Sequence, residues 1–194
     1  MFDILAILLS AIFVNNVVVT QFLGLCPFVG ASQRFVSALG LASATLFVIT
    51  LATGVSYLLD TYLLQPLSLS YLRIISFIVV IALLVQLMAL VIRATQPVIH
   101  EVLGIYIPLI TTNCMVLGVV LITVRTPSSL AEAMITGLGS GLGFALMLLA
   151  FAAQRERLSH ETVPKPFQGV AVHMVSAGIM ALAFMGFVGV SSSS

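Results

Sequence analysis

The sequence predicts an all-α, polytopic membrane protein with six transmembrane helices, and two observations carry this prediction. First, 61% of its 194 residues are apolar and only 7% are charged, whereas a soluble domain is roughly 45–50% apolar and about 25% charged. Second, the apolar residues form six continuous stretches, each long enough as a helix to cross a hydrocarbon core of about 30 Å. This composition excludes a soluble domain and a disordered chain, and continuous runs exclude a transmembrane β-barrel, whose strands alternate. The net charge of +1 argues against nucleic-acid binding.

Nearly all of the charged residues lie between the six stretches. Only Arg73 and Glu132 fall inside one, each near its end, because ionised side chains are costly within a bilayer. The N-terminal stretch has no basic residue before it and no small-residue cleavage site soon after it, so we expect it to stay in the protein. The predicted spans are Leu5–Leu25, Val36–Leu59, Leu72–Ile92, Val102–Val124, Leu130–Ala153 and Val170–Val190.

The basic residues predict how the spans are oriented, since Lys and Arg in short loops are retained on the cytoplasmic side. One face of the predicted topology carries only Arg73 and Arg125. We therefore expect both termini outside the cytoplasm and the loop Gln154–Gln168 facing it. The cytoplasmic face carries the other five basic residues, Arg34, Arg93, Arg155, Arg157 and Lys165.

The chain is predicted to be one integral membrane domain, residues 1–194, with halves at about 1–95 and 96–190. Cys26 belongs to the first apolar segment and Cys114 to the fourth, 88 residues later. Because each half has three spans, the second half is inverted if the two are related. Such inverted repeats place functional groups at interrupted helices near the membrane midplane.

The first and fourth helices are expected to be interrupted. The uncharged run from Ile4 to Gln33 is about 45 Å long as a helix at 1.5 Å per residue, which overshoots one span. Its expected break is FLGLCPFVG, where Gly24 and Gly30 weaken the helix and Pro27 removes a backbone donor. In the fourth span the expected break follows Pro108, where three polar side chains are available to bond released backbone groups: Thr111, Thr112 and Asn113.

The residues alone leave three interpretations of the two cysteines open. A buried free cysteine is ordinarily a small apolar residue. A disulfide would join the halves, although nothing here resembles a small secreted scaffold that depends on one. Metal ligation is the third interpretation, because each cysteine lies at a break whose unpaired N–H groups can point at sulfur. Iron–sulfur clusters generally take four cysteines, so a second chain would have to supply two more.

Three motifs resemble a known family. VNNVVVTQFLGLCPFVGAS near the start, IYIPLITTNCMVLGV in the middle and VPKPFQG before the last span together resemble the A subunit of the Rnf electron-transport complex. That family is similar in turn to the E subunit of the sodium-translocating NADH:quinone reductase, and the resemblance runs from about Phe2 to Val190. It implies that Cys26 and Cys114 are ligands of a [2Fe–2S] cluster shared with a homologous six-helix membrane protein of opposite orientation, the Rnf E subunit.

The resemblance also implies a function and a location. The chain would be part of a redox-driven ion translocase, with no complete active site and no covalently bound flavin of its own. It would relay electrons between NADH- or ferredoxin-linked subunits and flavin subunits, coupled to Na⁺ or H⁺ transport. It would lie in a bacterial inner membrane with both termini in the periplasm. Its implied partners, besides the lipid bilayer, include the other Rnf subunits B, C, D and G.

The remaining features are expected to be structural. The glycines of GLGSGLGF form two small-xxx-small pairs, Gly137/Gly141 and Gly139/Gly143, that let another helix approach closely. The histidines, His100, His160 and His173, are expected at the membrane interface. Interhelical hydrogen bonds are the expected role of the intramembrane polar side chains, Asn15, Asn16, Thr20, Gln21, Gln86 and Asn113.

A second function stays open from the residues alone. A small inverted-repeat secondary transporter would hold its substrate at the helix breaks with Asn15, Asn16 and Asn113. The two functions differ in what they need, because an electron relay requires the cysteines and a transporter does not.

Overall fold

The computed structural model describes residues 8, 12, 16–31, 35–66, 70–95, 104, 106–125, 129–157 and 169–191. Within these residues every regular element is a helix. A π-helical turn at Asp60–Leu64 extends the third helix, and a short 3₁₀ turn at Ser70–Leu72 precedes the fourth. In chain order the α-helices are α1 (Val17–Gln21), α2 (Leu25–Ala31), α3 (Phe35–Leu59), α4 (Arg73–Thr95), α5 (Ile107–Thr111), α6 (Cys114–Arg125), α7 (Leu130–Arg157) and α8 (Val170–Ser191).

The long helices follow the predicted spans closely and confirm an all-helical membrane protein. Four stretches of the described chain are long and apolar enough to cross a bilayer: Phe35–Leu64, Arg73–Ala94, Ile107–Arg125 and Leu130–Arg157. Helix α8 matches the predicted sixth span to within one residue. Most of the predicted first span lies outside the described residues, so the count of six spans stays a prediction.

Helices α3 and α7 form the centre of the molecule and make the most extensive contact between described elements. They run antiparallel, because Gly137 faces Thr53 while Gly141, one turn further along α7, faces Leu46. A Cβ built on Gly141 would lie 2.6 Å from Leu46 Cδ1 and 3.4 Å from Leu46 Cα, which leaves no space for a side chain. The predicted role of these glycines in close helix packing is confirmed.

Two sequence features recur along the chain at the same separation. Asn113 follows Asn16 by 97 residues, and GLGSGLGF, which begins at Gly137, follows GLASATLF, which begins at Gly40, by the same 97. The two asparagines directly precede α6 and α1, and the two glycine-led segments lie in α7 and α3, which pack antiparallel. That the two halves are inverted repeats of each other stays a prediction.

An ion pair joins α3 to α4 at the end where the two helices connect. Arg73 Nε lies 2.8 Å from Asp60 Oδ1, and Arg73 Nη2 donates to Asp60 Oδ2 at 3.3 Å. Asp60 is only 1% exposed. The second span was expected to end at Leu59, before this charge, but a π-helical turn continues it to Leu64, and Arg73 pairs with the buried carboxylate.

Candidate cysteine site at two helix breaks

The first helix break lies between Gln21 and Leu25. Phe22 adopts the left-handed conformation at φ 53°, and Gly24 follows at φ +90°, a region that glycine enters without the steric cost of a Cβ. Pro27 does not make this break, because it lies in the first turn of α2, where its missing N–H has no helical partner to lose. Gly30 lies inside α2. The expected break is therefore present, but of its three expected causes only Gly24 applies.

The second break lies at Thr112 and Asn113, between α5 and α6. Thr112 Oγ1 donates to the carbonyl of Pro108 at 2.7 Å, and Thr111 Oγ1 donates to the carbonyl of Ile107 at 3.1 Å. Asn113 Oδ1 accepts the backbone N–H of Met115 at 3.1 Å. Of the three side chains, Asn113 therefore bonds a backbone group released at the break, whereas the hydroxyl of Thr112 shares the carbonyl of Pro108 with the N–H of Thr112 itself.

Asn16 and Asn113 start the helices that follow them in the same way. Asn16 Oδ1 accepts the N–H of Val18 at 3.1 Å, which matches the bond from Met115 to Asn113 in both spacing and length. The two side chains differ at the amide nitrogen. Asn16 Nδ2 donates to the carbonyl of Gly143 on α7 at 3.2 Å, whereas Asn113 Nδ2 is buried with no hydrogen-bond acceptor among the described residues.

Each cysteine lies in the first turn of a helix that begins at a break. Cys26 is the second residue of α2 and is exposed, and Cys114 is the first residue of α6 and is half-buried. Both are free thiols, so the structure contains no disulfide between them. Cys114 is the first residue of a twelve-residue helix, Cys114–Arg125.

A hydrogen bond brings the two breaks together. The backbone N–H of Gly24 donates to Cys114 Sγ at 3.0 Å, although the residues lie 90 positions apart. Cys26 is two residues beyond Gly24, and consecutive Cα atoms lie about 3.8 Å apart. The bond therefore places the backbone two residues before Cys26 against the sulfur of Cys114. No sequence signal pointed to Gly24 as a donor to sulfur, because the bond depends on how the halves pack.

Two cysteine thiols are the possible metal ligands at the two breaks. The described residues hold no group of three or more His, Cys, Asp or Glu side chains, so they offer two thiols and not a whole coordination shell. Iron–sulfur clusters of the [2Fe–2S] type take four protein ligands. Two free thiols in one neighbourhood, one of them exposed at the protein surface, fit half of such a set.

The other predicted polar residues do not gather at this site as a substrate shell would. Asn15, His100 and His160 lie outside the described residues, and Thr20, Gln21 and Gln86 have exposed side chains. Asn16 is engaged, because its oxygen accepts from Val18 and its nitrogen donates to Ile12 and Gly143. His173 is half-buried on α8. Of the asparagines in the transporter interpretation, Asn16 is engaged, whereas Asn113 Nδ2 has no acceptor among the described residues.

The fold and the site together define a polytopic helical membrane protein that presents two thiols at paired helix breaks. The chain belongs to the Rnf-Nqr family, since the family model described as "Rnf-Nqr subunit, membrane protein" matches residues 4–191. This match covers both breaks, both cysteines and the central helix pair.

Similar proteins align with nearly the whole length of this chain. The A subunit of the ion-translocating oxidoreductase complex of Azotobacter vinelandii is 54% identical over 97% of this chain and 98% of its own length. The proteins of the same name from Shewanella loihica and Aliivibrio fischeri are 51% and 50% identical over the same shares of each chain. The predicted family resemblance is confirmed.

Proposed function

We propose that this chain is the membrane subunit of an ion-translocating oxidoreductase in which Cys26 and Cys114 provide half of the ligands of a [2Fe–2S] cluster. The names of its relatives support the coarser part of this statement, because each is called a subunit of an ion-translocating oxidoreductase complex. The cluster and its two ligands are the finer part, and they rest on the site.

One observation carries the cluster proposal: the N–H of Gly24 reaches Cys114 Sγ at 3.0 Å and so brings the two broken helices together at their cysteines. Cys26 is exposed, and Cys114 is half-buried. A thiol that its own chain leaves uncovered is open to a metal that a second chain also binds.

The partner that would complete the set is a homologous membrane protein of opposite orientation, the Rnf E subunit. A [2Fe–2S] cluster takes four ligands, and this chain has no third cysteine to offer. Subunits B, C, D and G would complete the assembly and hold the flavins and the NADH- or ferredoxin-linked centres. The five-to-two distribution of basic residues supports insertion in the bacterial inner membrane with both termini periplasmic.

Bound at this site, a [2Fe–2S] cluster would supply one-electron transfer between donors and acceptors on the two sides of the membrane. The residues of this chain hold it and shape its surroundings. The fully buried side chains of Met115 and Phe144, next to Gly24, keep water from this side of the site. A dry site of this kind strengthens every charge–dipole contact to the sulfur.

The test is to purify the intact complex and measure iron, acid-labile sulfide and the low-temperature EPR spectrum after reduction. The proposal expects a [2Fe–2S] signal that persists when every soluble subunit has been stripped from the membrane subunits. An intact complex whose membrane subunits contain no iron would overturn the cluster and return the cysteines to a structural role.

A further inference from the structure

We infer that the backbone N–H of Gly24 sets the reduction potential of the cluster by donating to Cys114 Sγ, which makes Gly24 a positioning residue of the electron relay. The inference rests on the proposed function, because it treats Cys114 as a ligand to iron. The inference assigns a role to a residue that contacts the sulfur of a ligand and does not itself bind the metal.

The geometry of the first break exposes this N–H. Inside a helix, the N–H of residue 24 would bond a carbonyl four residues earlier and be unavailable to any other acceptor. The left-handed conformations of Phe22 and Gly24 interrupt the helix just before α2. The released N–H then reaches across to the other half of the molecule and meets Cys114 Sγ at 3.0 Å.

A side chain at position 24 would be strained and tightly packed. At φ +90° an L side chain is strained, and an added Cβ would also lie 3.1 Å from Phe144 Cε2 and 3.4 Å from Met115 Cβ. Phe144 and Met115 are both fully buried, so neither can move aside without disturbing the core. The tight fit holds Gly24 in one place and so fixes the direction of its N–H.

The consequence for the cluster is electrostatic. A thiolate ligand becomes more electron-rich when the cluster accepts an electron, so an N–H dipole aimed at its sulfur stabilises the reduced form more than the oxidised form. Hydrogen bonds to the sulfurs are among the features that set the potentials of iron–sulfur clusters. The effect is largest in a low-dielectric site, where dipoles are poorly screened. The bond to Cys114 therefore raises the potential of the cluster.

Gly24→Ala is the direct test, with Gly178→Ala as the matched control because nothing lies within 4 Å of the Cβ that alanine would add there. In Gly24→Ala the break must shift, and the N–H is pulled from the sulfur. We expect the complex to keep its iron and its EPR signal while its midpoint potential falls by about 59 mV. For one electron, this shift is about a tenfold decrease in the equilibrium constant for reduction. Gly178→Ala should leave the potential unchanged.

A second readout detects the bond itself. In a complex labelled with ¹⁵N only at glycine, pulsed EPR of the reduced cluster should show a coupled glycine nitrogen that disappears in Gly24→Ala and remains in Gly178→Ala. If Gly24→Ala does not assemble, Phe144→Leu is used in its place. This change keeps Gly24 but removes the aromatic ring that packs against it, so Gly24 is held less tightly and the potential should also fall.

The outcomes separate the two proposals. An unaltered complex without a cluster overturns the proposed function and this inference together. A cluster whose potential is the same in the unaltered protein and in Gly24→Ala, or in Phe144→Leu where that variant is used, overturns the inference alone.

Discussion

Asn16 donates its side-chain amide to the backbone carbonyl of Gly143 at 3.2 Å, although the two residues lie 127 positions apart. A Cβ on Gly143 would lie 3.1 Å from that amide nitrogen and 3.3 Å from the carbonyl oxygen of Ile12, so glycine leaves room for the bond. The start of α1 is therefore tied to the central helix α7. Its position reflects contacts between distant parts of the chain as well as the local residues.

Replacing either cysteine should abolish the cluster. In Cys26→Ala or Cys114→Ala the iron loses a ligand, and the described residues offer no His, Asp or Glu cluster to replace it. We expect loss of the EPR signal and of electron transfer through the membrane in each single variant, with little further loss in the double variant, because ligands that act as one unit are not additive. Ser43→Ala, at an exposed position of α3, is the control. A cysteine-free complex that keeps its cluster would contradict the assignment.

Asn16→Ala should destabilise the protein more than Asn113→Ala. Both variants remove a helix-starting bond worth about 1 kcal/mol, but only Asn16 also donates to the backbone of α7, a bond that contributes about 1 kcal/mol more. Asn113→Ala removes an amide nitrogen that has no acceptor among the described residues. Thermal unfolding of the two variants in the same detergent measures the difference. Equal losses, or a larger loss in Asn113→Ala, would show that the bond to Gly143 contributes nothing.

Large side chains on the glycine face of α7 should prevent assembly. Gly141→Leu places a side chain against Leu46 Cα on α3, and Gly139→Leu adds one at a buried position of the same helix. Both should lower the yield of intact complex more than Leu142→Ala, because overpacking separates helices whereas truncation loses only dispersion contacts. Size-exclusion chromatography of the solubilised complex reports the yield. Normal yield from both glycine variants would mean that the contact between α3 and α7 tolerates separation.

Arg73→Ala should be more harmful than removal of the whole ion pair. It leaves Asp60, only 1% exposed, with an uncompensated charge, which costs about 3–5 kcal/mol for a buried pair. Replacing both residues, as Asp60→Leu with Arg73→Met, removes that charge and should recover much of the stability. Thermal unfolding of the single and double variants tests this. A double variant less stable than Arg73→Ala would contradict the explanation.

The orientation predicted from basic residues is testable with reporter fusions. A reporter that is active only in the cytoplasm should be silent when fused after Val190 and active when inserted in the loop Gln154–Gln168, because five of the seven basic residues lie on that loop's side. Strong activity after Val190 would reverse the orientation and the opposed-partner arrangement with it.

The sequence predicted the long helices well because a bilayer imposes a simple rule on them. Apolar runs must be about as long as the hydrocarbon core is thick, and α3 begins at Phe35, one residue from its predicted start. The sequence also predicted the second break, because the hydrogen bonds there are local. Thr111, Thr112 and Asn113 bond backbone groups within a few residues of themselves. Pro27 misled because proline disrupts a helix interior and not its first turn.

What the sequence did not predict depends on contacts between distant residues. The bond from Gly24 to Cys114 spans 90 positions. Neither the residue types nor the local sequence predicts that these two residues are partners. Asp60 looked like the polar end of a span, but Arg73 lies opposite it across the connection between α3 and α4 and allows its burial. Both features arise from tertiary packing, which periodicity and composition do not describe.

The continuous helical rod from Phe35 to Leu64 has 30 residues, about 45 Å at 1.5 Å per residue. Even at a tilt of about 40°, the upper end of the usual range, it spans more than a hydrocarbon layer of about 30 Å. The helix is therefore longer than the layer it crosses, and part of it must extend beyond the hydrocarbon. Membranes of different thickness would change the tilt of this helix and the share of it that lies outside the hydrocarbon.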